Sequence, residues 1–234
     1  MVLVLEDGFA RTEAGAMPTL LEKLPPARPA ELHAATIAQE LSGNYILATT
    51  VGRGQAAITL AETRPDAEVN LWFHDQYQQQ LLVSAVQDFP AQLGLYCEAD
   101  APASTHEGQY DLAVIPVFKS GEAEFTRDVL QAAFQALGVG GQLVAAIDNP
   151  QDKWLRSHLA ATGETVRVRP DISEKPLTVC YIVRKTQPLK KVRDFECKIV
   201  FRDQERLLTA LSRPGVFAHR RIDPAARHLL NAID

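Results

Sequence analysis

The sequence predicts an α/β protein with a Rossmann-like, seven-stranded, doubly wound sheet that ends in an antiparallel hairpin. From Tyr45 onward, short apolar runs alternate with stretches of helical periodicity, as in a parallel sheet covered by helices. A glycine turn at residues 50–54 joins the first of these runs directly to a helix-like segment. The last two predicted strands are joined by residues 171–176, a stretch too short and too polar for a helical crossover. These three observations together favour a sheet whose final strand is antiparallel.

Seven apolar runs are interpreted as strands, at residues 45–49, 69–73, 93–97, 112–115, 142–147, 165–169 and 179–184. Helices, three on each side of the sheet, are expected at 29–41 and from near Gln55, Asp75, Gly121 and Gln151. Residues 122–137 have the clearest helical periodicity. The glycines at 138, 140 and 141 are expected to form the C-cap of this helix and the turn after it. Two further strands, at 196–201 and 207–211, and a helix at 224–233 are expected beyond the sheet.

The composition fits one large domain with appendages. The 234 residues are 46% hydrophobic and 23% charged, which is ordinary for a soluble globular protein. We expect a loose N-terminal arm at residues 1–30, an α/β domain at 31–185 and a basic C-terminal extension at 186–234. No apolar run approaches the roughly 20 residues of a membrane span. Three cysteines without metal-ligand spacing indicate reduced thiols in a cytoplasmic protein, with no metal site and no membrane partner.

Charge is divided unevenly along the chain. Residues 1–166 contain 9 basic and 21 acidic side chains, whereas residues 167–234 contain 15 basic and 8 acidic ones. A basic tail on an acidic body indicates an anionic partner for the tail, docking of the tail on the body, or a solvated basic face. The basic residues that could contact phosphates include Lys190, Lys191, Arg193, Arg220 and Arg221.

The glycine turn is the candidate ligand-binding feature. A strand, a glycine turn and a helix N-terminus form the device by which α/β proteins hold anionic or nucleotide-like ligands. Thr50, Gly52 and Gly54 would face such a ligand, but Arg53 stands between the glycines and no acid precedes them. This composition favours a turn that merely requires small residues. Asp75, which follows the second strand, is either the acid that binds ribose hydroxyls or, as we favour, the N-cap of the next helix.

The end of the fourth strand is the second candidate site. Pro116, Phe118 and Lys119 lie at the carboxyl end of this strand, where open α/β sheets hold their ligands. Chemistry on the amine of a nucleobase would require a polar acceptor to orient the amine and an aromatic ring to stack on the base. Phe118 can stack, but Ile115 replaces the acceptor. We therefore expect a site without catalytic activity.

The chain as a whole resembles the N-terminal half of the tandem-domain ribosomal RNA guanine-N2 methyltransferases of the RsmC/RlmG type, within the class I S-adenosylmethionine-dependent superfamily. The resemblance covers most of residues 40–234. It rests on the turn at 52–54, on the segment 114–119 and above all on Arg213-Pro214-Gly215-Val216-Phe217, followed by Ile222-Asp223 and Leu229-Leu230. In that family, a Pro-Gly-Val-Phe stretch precedes a second domain with an intact glycine-rich motif and an Asn-Pro-Pro-Phe motif. This chain contains neither motif.

The resemblance implies a degenerate copy of the fold that assists folding and ribosomal RNA binding without transferring a methyl group. Its S-adenosylmethionine cleft would then survive as architecture, and its partners would be RNA and a catalytic domain. Two alternatives remain open. The chain is an active S-adenosylmethionine-dependent methyltransferase with a drifted donor turn, or it is a protein-interaction module that associates with a second copy or with a catalytic half.

Overall fold

The computed structural model describes residues 5–6, 9–10, 20–86, 88–98, 106–162, 164–203, 205–216, 218–225 and 228–229. Its helices are a 3-10 helix at Leu20–Lys23, α1 (Pro29–Gln39), α2 (Gln55–Thr63), α3 (Gln76–Ala85), α4 (Ala123–Ala136) and α5 (Trp154–Ala160). Its strands are β1 (Leu5–Glu6), β2 (Phe9–Ala10), β3 (Tyr45–Thr49), β4 (Glu68–Trp72), β5 (Leu93–Tyr96), β6 (Tyr110–Val117), β7 (Leu137–Ile147), β8 (Val166–Pro170), β9 (Val179–Arg184), β10 (Cys197–Asp203) and β11 (Arg206–Ser212).

The main sheet confirms the predicted fold. Its seven strands lie in the order β5-β4-β3-β6-β7-β9-β8. The neighbours from β5 to β7 are parallel, whereas β9 is antiparallel to both β7 and β8. The chain enters this sheet in the middle at β3, continues outward through β4 to β5, and then returns to form β6 on the other side of β3. The boundary between β3 and β6 is therefore the switch point, where ligands bind in open α/β sheets.

Two hydrophobic layers cover the sheet. One is formed with α1, α2 and α3 and contains Ile46 and Leu82, and the other is formed with α4 and α5 and contains Leu47 and Phe134. The described residues thus place three helices on one face and two on the other. Ile46 and Leu47 are neighbours in β3 and both are fully buried, as expected for a central strand covered on both faces.

The predicted glycine C-cap of α4 is wrong. The helix ends at Ala136, and Leu137 already belongs to β7 with an extended backbone. The glycines at 138, 140 and 141 lie inside the first part of β7, where its register against β6 shifts between the pairs Tyr110↔Leu137 and Leu112↔Gln142. Three more residues separate the β7 partners than separate the β6 partners, and the positive φ of 96° at Gly140 helps to accommodate them.

A lysine satisfies the C-terminus of α4 in place of a glycine cap. The buried Lys185 donates from Nζ to the carbonyl oxygens of Gln135 (3.1 Å) and Leu137 (2.5 Å). A lysine side chain near the last carbonyl groups of a helix also interacts favourably with the negative end of the helix dipole. Burial lowers the pKa of Lys185, and the nearby Glu107 acts in the opposite direction.

The segments outside the main sheet have defined structure where they are described. β10 and β11 pair antiparallel as a separate hairpin, which confirms the two strands expected beyond the sheet. In the region expected to be a loose arm, Leu24 and Ala30 are buried. Residues 224–225 and 228–229 are helical, and the remainder of the helix predicted at 224–233 lies outside the described residues. Phe217 also lies outside them. In the described part of the chain, no helix has the length and apolar character needed to cross a bilayer.

Candidate functional site

A cleft of about 830 Å³ opens at the carboxyl edge of the sheet, beside the switch point. The ends of β3, β4 and β6 form its floor, α4 forms one wall, and residues 211–216 contribute another. Of the predicted site residues, Thr50, Gly52, Asp75 and Phe118 line it. Gly54, Pro116 and Lys119 are not among its lining residues, and Pro116 is buried within β6 beside Ala146 of β7. A cavity of this size is within the range of small-molecule sites.

A buried glutamate of α1 holds the glycine turn from behind. Glu31 has no exposed surface, and its Oε1 accepts hydrogen bonds from Thr50 Oγ1 (2.5 Å) and from the backbone N–H of Val51 (2.9 Å). Its Oε2 accepts from the backbone N–H of Ala56 (3.0 Å). Burial raises the pKa of Glu31, and the hydrogen bonds act against that increase. An acid thus contacts the turn, but it comes from α1 and not from the end of β3.

The other amide groups of the turn are bonded to side chains within the turn. Thr50 Oγ1 accepts from the N–H groups of Gly52 (2.9 Å) and Gly54 (2.8 Å). Gln55 Oε1 accepts from the N–H of Arg53 (3.0 Å). The backbone donors of residues 51–54 and 56 are therefore all satisfied by this chain's own side chains. An anion-binding turn requires such N–H groups to point at the ligand.

The two glycines of the turn have different roles. Gly54 has a φ of 77°, and a Cβ atom there would lie 2.3 Å from Leu71 Cδ2. Gly52 has an ordinary φ, and the atom nearest to a Cβ there would be Gln55 Oε1 at 3.3 Å, a milder contact than the one at Gly54. Gly54 is therefore required by backbone conformation and by packing on β4. This need for a small residue is the structural role that the sequence favoured for the turn.

Asp75 caps α3, as the favoured sequence interpretation expected. Its Oδ1 accepts from the backbone N–H of Tyr77 at 2.8 Å, and its own backbone is extended. Asp75 is also among the residues that line the cleft. The capping bond uses one of its two carboxylate oxygens.

The aromatic ring at the end of β6 is partly covered. The guanidinium carbon of Arg28 lies 4.4 Å from the centroid of the Phe118 ring, and Arg28 Nε donates to the carbonyl oxygen of Val51 (3.0 Å). Arg28 thus links Phe118 to the glycine turn. Ile115 is buried, so no polar side chain stands at that position of the strand. Lys119 is exposed at the rim of this end of the sheet.

The C-terminal segment docks on α4 through Glu124. Arg220 forms a forked contact with this carboxylate, with Nε at 3.1 Å from Oε2 and Nη2 at 2.6 Å from Oε1. Arg193 approaches the same carboxylate at 3.3 Å, and His219 Nε2 lies 3.8 Å from it. The hydrogen bond from Arg220 is the main cause that lowers the pKa of Glu124. Docking of the basic tail on the acidic body was one of the outcomes that the charge distribution indicated.

A tight glycine contact seats the same segment against the cleft. Gly215 has a φ of 89°, and a Cβ atom there would lie 3.0 Å from the ring of Phe125. Its N–H donates to Glu122 Oε2 at 3.0 Å. Phe125 also packs edge-on against His74, with the ring centroids 4.9 Å apart. The segment therefore rests on side chains that form the wall of the cleft.

The predicted phosphate-contacting residues fall into two groups. Arg193 and Arg220 contact Glu124, as described above. Lys190, Lys191 and Arg221 are exposed to solvent. Within the described residues, no group of three or more His, Cys, Asp or Glu side chains is arranged to hold a metal ion.

Sequence reasoning missed the residues that organise the site. Glu31 had one available signal, because it is an acid between positions of α1 that turn out to be buried, such as Ala30 and Ala34. Glu124 had none, because helical periodicity places it on the side of the 122–137 helix opposite its apolar residues. Their partners lie 19 to 96 residues away in sequence, beyond the reach of local patterns.

The sheet order and the terminal antiparallel hairpin define a Rossmann-like fold of the class I methyltransferase type. Among solved structures, the chain is similar to the T. thermophilus 16S rRNA N2 G1207 methyltransferase (RsmC) in complex with AdoMet and guanosine. The TM-score is 0.66 at 20% identity, over 88% of this chain and 52% of that one. This chain thus spans about half the length of that protein.

More distant structures have the same fold. An O-methyltransferase family protein from Burkholderia thailandensis matches with a TM-score of 0.52 at 13% identity, over 67% of this chain and 56% of that one. P. horikoshii TYW2 in complex with MeSAdo matches with a TM-score of 0.50 at 12% identity, over 68% and 64%. No family model matches the sequence, and no curated protein matches it. The similarities therefore define the fold alone.

Proposed function

We propose that this chain is the methyltransferase-like domain of a ribosomal RNA guanine-N2 methyltransferase, and that it acts as a non-catalytic scaffold that binds RNA. One observation carries the non-catalytic part. The backbone donors of residues 51–54 and 56 are bonded to Glu31, Thr50 and Gln55 instead of pointing at a ligand. The fold similarity to a ribosomal RNA methyltransferase supports the RNA part.

The turn does not fit S-adenosylmethionine well. A ligand over the turn would meet amide groups that already have partners, and displacing Glu31 would leave a buried carboxylate without hydrogen bonds. Leaving a charged buried group without a partner is strongly unfavourable. We infer that the cleft keeps the shape of a cofactor site while its polar groups serve the fold.

The substrate side of the cleft supports the same conclusion. Holding a guanine amine for methyl transfer requires an acceptor that orients the nitrogen lone pair. Ile115 and Pro116 are buried and offer no side-chain acceptor. Phe118 offers an aromatic face, but the guanidinium of Arg28 lies over it. A base that stacked on this face of the ring would have to displace Arg28.

Calorimetry with S-adenosylmethionine tests the non-catalytic part. We expect no heat of binding at micromolar concentrations of the cofactor, because the donors of the turn are occupied. The Thr50→Ala variant is the informative comparison, since it removes the hydroxyl that accepts from the N–H groups of Gly52 and Gly54 and keeps both glycines. Clear micromolar binding to the wild-type chain would contradict the proposal.

A salt titration tests the RNA part. Binding of a fluorescent single-stranded RNA should weaken as salt increases, with a logarithmic slope of about −0.7 per phosphate contacted. Reversing the exposed charges with Lys190→Glu, Lys191→Glu and Arg221→Glu should weaken binding and reduce that slope. Lys23→Glu and Lys175→Glu, at exposed positions elsewhere, are the matched controls. Affinity that is indifferent both to salt and to these reversals would remove RNA from the proposal.

An active methyltransferase with a drifted donor turn is the second candidate. The cleft volume and the position of Asp75 on its wall favour it, because both match what a nucleoside ligand requires. In that case, S-adenosylmethionine would lie over Gly52, with the acceptor near Phe118 and Lys119. A ligand-bound structure with the cofactor at that position would establish this function in place of the scaffold.

A protein-interaction module is the third candidate. It is favoured by the outer face of the β10–β11 hairpin, where Val200, Leu207 and Leu211 are 52%, 67% and 65% exposed. Exposed apolar groups that lie together are typical of contact surfaces. Size-exclusion chromatography with light scattering separates this case, because a stable dimer would point to self-association through that face.

A further inference from the structure

Donors from the C-terminal extension converge on two carboxylates at the start of α4, those of the N-cap Glu122 and of Glu124. The guanidinium groups of Arg193 and Arg220 reach Glu124, and the backbone N–H of Gly215 reaches Glu122 at 3.0 Å. Residues 211–216, which include Gly215, line the cleft. One set of contacts therefore holds the segment on the helix and covers part of the cleft.

The backbone around Arg220 is in an unusual conformation. Ala218 has a φ of 59° and Arg220 a φ of 70°, both in the left-handed region that residues other than glycine seldom adopt. Backbone strain of this kind persists where the surrounding contacts require it, and it is concentrated at functional sites. Here it accompanies the forked contact between the Arg220 guanidinium and Glu124. The forked geometry is equally suited to a carboxylate and to a phosphate.

We propose that Arg193 and Arg220 form a phosphate-binding site for RNA, which the free protein fills with its own Glu124. RNA phosphates displace this carboxylate, and residues 211–216, with the Gly215 N–H that Glu122 holds, are released from the cleft. The inference depends on the RNA binding of the proposed function, and it adds the residues that bind phosphate and a competition that regulates access to the cleft.

The strength of the internal contacts allows such competition. The side chains of Arg193, Arg220 and Glu124 are 55%, 43% and 21% exposed. Ion pairs with this degree of exposure contribute little to stability, since water and salt screen them. An RNA strand that offers several phosphates can therefore replace them. Because such coupling is reciprocal, occupation of the site by glutamate must also weaken RNA binding.

Glu124→Gln tests the competition through the sign of its effect. We expect this variant to bind a fluorescent 12-nucleotide single-stranded RNA about fivefold more tightly than wild type, because an exposed competing pair has been removed. Glu40→Gln is the matched control. It removes the same charge from a pair with Arg169 at 2.6 Å elsewhere on the surface. We expect Arg220→Ala to weaken RNA binding and its counterpart Arg169→Ala to leave it unchanged.

Hydrogen exchange tests the release of the segment. The Gly215 amide is protected by Glu122 when the segment is docked, so RNA should accelerate its exchange by about tenfold or more. Exchange that RNA leaves unchanged, or equal RNA affinity of Glu124→Gln and Glu40→Gln, would overturn the inference while RNA binding itself stood. Absence of RNA binding by every variant would overturn the proposed function, and this inference with it.

Discussion

Replacing Glu31 with glutamine should destabilise the protein, although the two side chains have the same shape. The carboxylate accepts from Val51 N–H and Thr50 Oγ1 at one oxygen and from Ala56 N–H at the other. A glutamine can keep only one acceptor oxygen, so its amide NH₂ must face one of these donors. One buried N–H group then lacks a partner, which costs about 1–3 kcal/mol.

The Glu31→Ala variant extends the same reasoning. Both backbone donors, Val51 N–H and Ala56 N–H, would lose their acceptor, and the expected cost is about 2–6 kcal/mol. A typical domain is stable by only about 5–15 kcal/mol, so this variant approaches the limit of folding.

Urea unfolding followed by tryptophan fluorescence measures both effects as a decrease in the midpoint at unchanged slope. Glu174→Gln, at an exposed loop position, is the control and should leave the midpoint unchanged. If Glu31→Gln unfolds at the same urea concentration as wild type, the carboxylate does not organise the turn and the reasoning fails.

Three further predictions concern the turn, the helix after β4 and the docked segment. Gly54→Ala should lower stability by more than about 1–2 kcal/mol, since the left-handed φ is unfavourable for alanine and its Cβ would contact Leu71. Gly52→Ala, the matched control, should have a much smaller effect on the urea midpoint, and equal effects would refute the assigned difference. Asp75→Ala removes the cap of α3 and should cost about 1 kcal/mol, seen as a decrease of roughly 2–4 °C in the thermal midpoint. An unchanged midpoint would mean that the cap is dispensable. The contact with Arg220 lowers the pKa of Glu124 below its usual 4.5, so the folded state binds fewer protons there than the unfolded chain. That stabilisation is fully present above pH 4.5 and is lost as the pH falls through the lowered pKa. Urea midpoints between pH 6 and 3 should therefore fall less steeply for Glu124→Gln than for wild type, and identical profiles would exclude this contribution.

Local patterns were sufficient to predict the sheet. Strands such as β3 and β9 were predicted at their observed bounds, because buried strands are apolar and are bounded by turns. The missing crossover between β8 and β9 predicted the antiparallel hairpin for a geometric reason, since a parallel connection requires more chain. The glycines after α4 were misassigned because glycine is favoured both at helix C-caps and in strand irregularities. Sequence alone does not distinguish the two.

The candidate site was only half predictable. The sequence located Thr50, Gly52 and Asp75, because strand ends and helix starts meet at one edge of such a sheet. It did not reveal that Glu31 contacts the turn from behind, or that two arginines of the C-terminal extension contact Glu124. Those pairings depend on how α1 and the C-terminal segment pack in three dimensions. Hydrogen bonds between residues that are distant in sequence produce no periodic pattern from which they could be predicted.

The position of Glu31 on α1 has a consequence for anyone who wishes to engineer alkyl-donor recognition into this scaffold. Grafting a glycine-rich loop from an active enzyme would rebuild the front of the turn and leave the supporting carboxylate behind it. The backbone N–H groups of the transplanted loop would then donate to the Glu31 carboxylate, as those of Val51 and Ala56 do now. A successful redesign has to begin in the preceding helix, with an apolar residue in place of the glutamate and a new acid at the end of the strand.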